Sequence, residues 1–188
     1  MQRLLARDRR ETPWKNGGGT TTEVATFPPG SSLDDFAWRV SMARVERAGP
    51  FSRFAGVDRS IALVEGQGMT LAIAGRGQVA VEATTPPFAF PGDVEVDASL
   101  VAGSSLDLNV MTRRGSFRHL LSRVSATGAV RIAPLGTIAL VVVARGAVRV
   151  AGEGALELRD AVLLEADEAL DAVFDAGAVC LVVDLWRW

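Results

Sequence analysis

The chain has 188 residues, a formal net charge of −2, 48% hydrophobic residues and a mean hydropathy of +0.22. This balance excludes a disordered chain, and a pI near 5.5 provides no basic field for nucleic acid or an anionic membrane surface. The single cysteine, Cys180, excludes an intrachain disulfide.

The N-terminal decad Met1–Arg10 has no sustained apolar stretch, so no signal peptide is expected. The longest strongly apolar run, Ile138 to Ala144, is far short of the roughly 20 residues of a membrane helix. A soluble, cytoplasmic protein is the expectation. Next along the chain comes Pro13-Trp14-Lys15-Asn16-Gly17-Gly18-Gly19-Thr20-Thr21-Thr22-Glu23, which holds the only lysine among 20 basic residues. Consecutive glycines are entropically costly to order, so they mark a tight turn or a close backbone approach. A cation, an amide, hydroxyls and a carboxylate gather there beside an indole plane, a composition suited to a small polar ligand.

Strand signals dominate from this point. Phe36 to Met42 alternates apolar and polar residues, and short runs follow at Ser60 to Val64, Met69 to Ala74, Gln78 to Glu82, Leu106 to Thr112, Ile138 to Ala144, Ala147 to Ala151 and Val179 to Trp186. Gly, Pro, Asp and Ser separate them at short intervals, which predicts an all-β sandwich, jelly roll or barrel. Room for a short helix remains near Pro50 to Phe54 and after Ser116. The run Leu63 to Leu71 echoes Val142 to Val150 as strand, glycine turn, strand, so two β-barrel halves in tandem are expected, with the boundary between Gly115 and Gly128. Within the strands, Trp38, Val40 and Met42 share one face and Arg39, Ser41 and Ala43 the other. Asp107, Asn109, Met111 and Arg113 likewise share a face. The loop Gly49 to Arg59 carries Phe51 and Phe54 as anchors, with Asp58 and Arg59 holding it or lying at a cavity mouth.

Several chemistries lack their residues. One histidine, His119, and one cysteine cannot build a multi-histidine metal site, and no acidic cluster has ligand spacing, so no metal and no cofactor are expected. There is no nucleophile elbow, phosphate loop or dinucleotide fingerprint.

Trp14-Lys15-Asn16-Gly17-Gly18-Gly19-Thr20 with Thr22-Glu23, then Phe36-Ala37-Trp38-Arg39-Val40-Ser41, resembles the HutD/Ves family. Gly49 to Arg59, Phe90-Pro91-Gly92-Asp93 and Asp107 to Arg114 extend the resemblance, which is dense from about residue 3 to 115. It implies a bicupin without the metal-binding histidines of typical cupins, a link to histidine utilisation and to stress responses, and a non-enzymatic role in which the first barrel binds a small histidine-breakdown intermediate. Residues 1–115 would form the barrel with the ligand site. Residues 116–188 would form a second barrel serving as scaffold or interface, with strands exchanged between the halves as an option.

The expected ligand is a small carboxylate metabolite. Lys15 and Arg39 hold the carboxylate, Asn16, Thr20 and Ser41 orient polar groups, Trp14 forms a wall, and Glu23 pairs with Lys15 or Arg39. The alternative is a metal-independent isomerase or hydrolase with Glu23 and Lys15 as the proton-transfer pair. A third reading, docking to a protein partner, draws on Trp186 and Trp188. Two-fold dimers being the commonest oligomers, a homodimer is the expected assembly.

Overall fold

A computed structural model describes residues 1–188. After β1 (Gln2–Leu4) and a 3₁₀ turn (Ala6–Asp8) come β2 (Glu11–Pro13), β3 (Gly19–Phe27), β4 (Trp38–Val45), β5 (Gly49–Pro50), β6 (Val57–Glu65), β7 (Met69–Ile73), β8 (Gly77–Val81), β9 (Phe88–Pro91), β10 (Val96–Leu100) and β11 (Ser105–Arg113). The chain continues through β12 (Phe117–Ser125), β13 (Gly128–Ile132), β14 (Ile138–Arg145), β15 (Val148–Val150), β16 (Gly154–Leu156), β17 (Ala161–Glu165), β18 (Leu170–Phe174) and β19 (Val179–Arg187). The two places left open for a helix are not helical. Pro50 ends β5 and residues 51–54 are irregular, while the segment after Ser116 becomes β12, paired with β19 over nine residues. No helix is long and apolar enough to cross a membrane.

The chain forms two compact units, residues 10–116 and residues 1–9 with 117–188. The first nine residues therefore leave the unit where the sequence reading puts them. β1 pairs antiparallel with β17 and adds an edge strand to the second unit.

Each unit is a pair of sheets packed across an apolar core rather than a closed barrel. In the 10–116 unit a six-stranded sheet (β2-β3-β4-β11-β6-β9) faces a four-stranded one (β5-β10-β7-β8). Ile61, Leu63 and Phe90 of the larger sheet pack on Leu71, Ile73, Val81 and Val96 of the smaller. In the other unit β1-β17-β14-β19-β12 faces β13-β18-β15-β16 across Val141, Val143, Leu164, Val182, Leu156, Leu170 and Phe174. Period-2 alternation explains the division of labour: β18 reads buried, exposed, buried, exposed, buried.

The two units share one topology. The run β4-β11-β6-β9 matches β12-β19-β14-β17, and β5-β10-β7-β8 matches β13-β18-β15-β16. Even the irregularity repeats, with a register shift where β11 meets β6 at Leu106/Asp107 and another where β19 meets β14 at Val143/Arg145. Counting from this shift fixes equivalent positions. Asp107, Asn109 and Arg59 in the first unit correspond to Cys180, Val182 and Ala139 in the second.

Candidate functional site

A pocket of about 780 Å³ lies within the 10–116 unit, on the face of the six-stranded sheet that also carries Ile61 and Leu63. Strand register places its floor in rows. Glu23 stands opposite Ser41, which stands opposite Asn109. Arg39 and Arg59 flank Met111 on either side, and Thr21, Ala43 and Asp107 form a third row. The alternation that put Arg39, Ser41 and Ala43 on one face and Asp107, Asn109 and Met111 on one face thus brings both triplets to the same cavity.

The glycine-rich segment forms the wall. Gly17 adopts φ +66°, and its N–H donates to the Trp14 carbonyl at 3.0 Å. A Cβ at Gly19 would stand 2.0 Å from the Arg44 carbonyl oxygen, so only glycine lets the chain enter β3 this close to β4. The Trp14 indole N–H donates to the Thr21 hydroxyl at 2.7 Å, which fixes the ring along the pocket. Asn16 lines the pocket, but its side-chain oxygen accepts the Gly18 N–H at 3.0 Å and is committed to the turn. Lys15 is exposed at the pocket edge.

Arg39 donates through Nε to Glu23 at 2.9 Å and through a terminal nitrogen to the Ser41 hydroxyl at 3.3 Å. Glu23 thus partners Arg39 rather than Lys15. Arg59 lies deeper, 5% exposed, within 5.0–5.5 Å of the ring centres of Phe90, Phe51 and Phe54. The three rings shield its guanidinium while their π-faces attract it, and one terminal nitrogen donates to the Ser52 carbonyl at 3.1 Å. Burial pulls Arg59 down to about 10, opposed by the negative charge of Asp107. Asp107 is fully buried, and burial pushes its carboxyl up to about 7 against the pull of Arg59. Neither Asp107 oxygen has a hydrogen-bond partner, nor has the side-chain oxygen of Asn109.

The structure therefore gathers Trp14, Lys15, Asn16, Glu23, Arg39, Ser41, Phe51, Phe54 and Arg59 around one cavity. Two expected residues stand outside it. Thr20 points to the other side of β3 and donates to Glu11; its neighbour Thr21 lines the pocket instead. Asp58 is clasped by Arg114 at 2.7 Å, and the same guanidinium holds Asp93 at 2.8 Å, so it braces the Phe51–Phe54 loop from behind. Gly92 completes the brace, donating to the Val57 carbonyl and accepting the Phe54 N–H, both at 2.7 Å. Asp107, Asn109, Met111, Thr21 and Arg10 were not among the expected site residues. The signal for Asp107 and Asn109 was two polar residues alternating with Leu106, Leu108 and Val110 in the middle of a strand.

The HutD family model matches residues 6–182. The chain belongs to the HutD family. A 21.2 kDa protein of the hutC 3′ region of Pseudomonas putida is 34% identical over 186 residues, 97% of this chain and 96% of that one. Protein Ves of Citrobacter koseri is 41% identical over 120 residues, 57% of this chain and 56% of that one. Among solved structures, HutD from Pseudomonas fluorescens SBW25 superposes with a TM-score of 0.83 at 33% identity, covering 100% of this chain and 98% of that one. PA5104 from Pseudomonas aeruginosa PAO1 gives 0.86 at 31% identity, covering 98% and 97%. Bacterial pirin YhhW of Escherichia coli, solved with nickel(II), shares the cupin-type fold alone, with a TM-score of 0.66 at 11% identity over 97% of both chains.

A metal centre of that kind does not fit the residues of this HutD-family chain. His119 and Cys180 both lie outside the pocket, in the other unit. Nowhere do three His, Cys, Asp or Glu side chains converge, and the two carboxylates of the pocket face cations. At the C-terminus, Arg118 lies 5.3 Å over the Trp186 ring and 5.6 Å over that of Trp188, and Trp186 donates to the Leu135 carbonyl at 3.1 Å.

Proposed function

We propose that this pocket binds a small carboxylate metabolite and that its occupancy modulates histidine utilisation without a reaction of its own. The observation that carries the reading is charge. Arg10, Lys15, Arg39 and Arg59 line the pocket against only Glu23 and Asp107, in a chain whose overall charge is −2. A local surplus of cations in a chain of opposite net charge favours an anion, and the surrounding apolar wall strengthens each charge-assisted hydrogen bond. Arg39, oriented by Glu23 and Ser41, and Lys15 at the rim receive the carboxylate, while Trp14 packs against the carbon skeleton.

The histidine connection draws on the relatives. One is encoded in a hutC region, one carries the name HutD, and the structure of the latter was obtained in a formate condition, formate being the smallest carboxylate. A binding role rather than catalysis is favoured because Glu23, the expected proton-transfer residue, is engaged by Arg39.

A thermal-shift titration with histidine, urocanate, formiminoglutamate, formylglutamate, glutamate and formate tests this. A binding carboxylate raises the unfolding midpoint in proportion to the logarithm of its concentration over Kd. Lys15→Ala and Arg39→Ala are each expected to weaken that ligand by about tenfold or more with the fold intact. Unchanged affinity in both variants, or no shift with any compound at millimolar concentration, would refute the proposal.

A further inference from the structure

We infer that Asp107 and Asn109 form a second subsite of this pocket, one that receives an N–H-bearing end of the ligand: an amide, amidine or ammonium group. The inference rests on the carboxylate-binding reading and narrows it. The ligand would be a carboxylate with a nitrogen head, not a plain acid or a dicarboxylate.

Three side-chain oxygens carry the argument. Both carboxylate oxygens of Asp107 and the amide oxygen of Asn109 are buried without a hydrogen-bond donor, in residues that are 0% and 7% exposed. Buried acceptors left unpaired are costly, and native proteins leave few of them. The nearest cation does not answer them. Arg59 interacts with Asp107 through its charge, but one terminal nitrogen goes to the Ser52 carbonyl and its Nε is itself unpaired.

The second unit shows that the fold has no need of these groups. At the positions equivalent to Asp107, Asn109 and Arg59 it places Cys180, Val182 and Ala139, all packed into an apolar core. The same strands, the same bulge and the same sheet order thus form with no polar side chain there. The polar residues of the first unit are retained at a cost in stability for which packing offers no return, and ligand recognition is the remaining use.

The number of acceptors selects the chemistry. A hydroxyl supplies one donor, whereas an amide or amidine NH₂ supplies two and an ammonium three. With Asp107 ionised, three acceptors on one strand face, two residues apart, match a nitrogen head. The anionic end then lies toward Arg39, which stands opposite Met111, four residues along β11 from Asp107.

The test uses two probes that differ only at the head. Glutaramate carries a carboxylate and a terminal amide, and monomethyl glutarate carries the same chain and carboxylate with OCH₃ in place of NH₂. Both fit a cavity of about 780 Å³. Calorimetric titration of the full chain is expected to show glutaramate binding tighter by about tenfold or more. In Asp107→Asn and Asn109→Leu that preference should collapse, while Arg39→Ala should weaken both probes alike and preserve the ratio. Equal affinity of wild type for the two probes overturns this inference and leaves the carboxylate reading standing; it needs no variant to fold. Binding of neither probe at about 10 mM, a level at which even weak sites fill, overturns the carboxylate reading and this inference with it.

Discussion

Replacing Asp107 by asparagine separates what folding requires at that position from what the pocket requires. Burial moves the Asp107 carboxyl from its ordinary 3.8 to about 7, against the attraction of Arg59. Between those values the folded chain keeps a proton that the unfolded chain has released, so stability falls as pH rises through this window. Once both states are ionised, carrying the charge in the interior costs about 4 kcal/mol. The asparagine variant keeps the shape and never ionises. D107N is expected to match wild type at about pH 4 and to exceed it by about 4 kcal/mol at about pH 8. Urea titrations across this range, read from the exchange protection of β6 and β11 amides, report on the 10–116 unit alone. Parallel stability curves for the two proteins from acid to base would refute the reasoning, as would a variant less stable than wild type at the alkaline end.

Other consequences are as direct. Gly19→Ala forces a Cβ to within 2.0 Å of the Arg44 carbonyl oxygen; a loss of about 2–3 kcal/mol is expected in chemical unfolding, together with loss of ligand-induced stabilisation as Trp14 is displaced. Burial pushes the Cys180 thiol up to about 12, so labelling by a thiol reagent near neutral pH should proceed only at the rate of unfolding. Arg114→Ala releases Asp58 and Asp93 together; amide exchange in residues 51–56 should accelerate markedly, while global stability changes by no more than about 1 kcal/mol, because these groups are exposed. Phe174→Ala opens a cavity in the core of the second unit. It should cost about 3–5 kcal/mol and leave the affinity of the pocket unchanged in the molecules that remain folded.

Much of this arrangement was written in period-2 alternation. Once Arg39, Ser41 and Ala43 were assigned one face and Asp107, Asn109 and Met111 another, only the pairing of β4 with β11 was needed to bring them together, and pairing is decided by topology rather than by local sequence. That is why Asp107 was seen but not placed: its partner Arg59 is distant in the chain and becomes a neighbour only when β6 joins β11. Thr20 failed for a different reason. In a run of three threonines, one step in register reverses the face, and it is the Trp14 indole bonding to Thr21 that selects the inward residue. β12 was obscured because Phe117, Leu120, Leu121 and Val124 follow helical spacing. Nine-residue pairing with β19 overrides that pattern, burying Phe117 and Leu121 while Leu120 stays 47% exposed.

The edge position of β1 has a consequence for synthesis. The Ala6 N–H donates to the Asp160 carboxylate at 2.7 Å, across 154 residues of chain, and β1 itself pairs only with β17. On a ribosome adding about 5–20 residues per second, β1 is made roughly 8–30 s before its partner β17 exists. The 10–116 unit contains all of its own strands and can close in the interval, tethered to a short unpaired strand that has nowhere to dock. A bulky fusion placed ahead of Gln2 would therefore burden the C-terminal unit, the half farther from it in sequence. β1 leaves the ribosome ahead of every other strand described above, yet it is among the last to be folded.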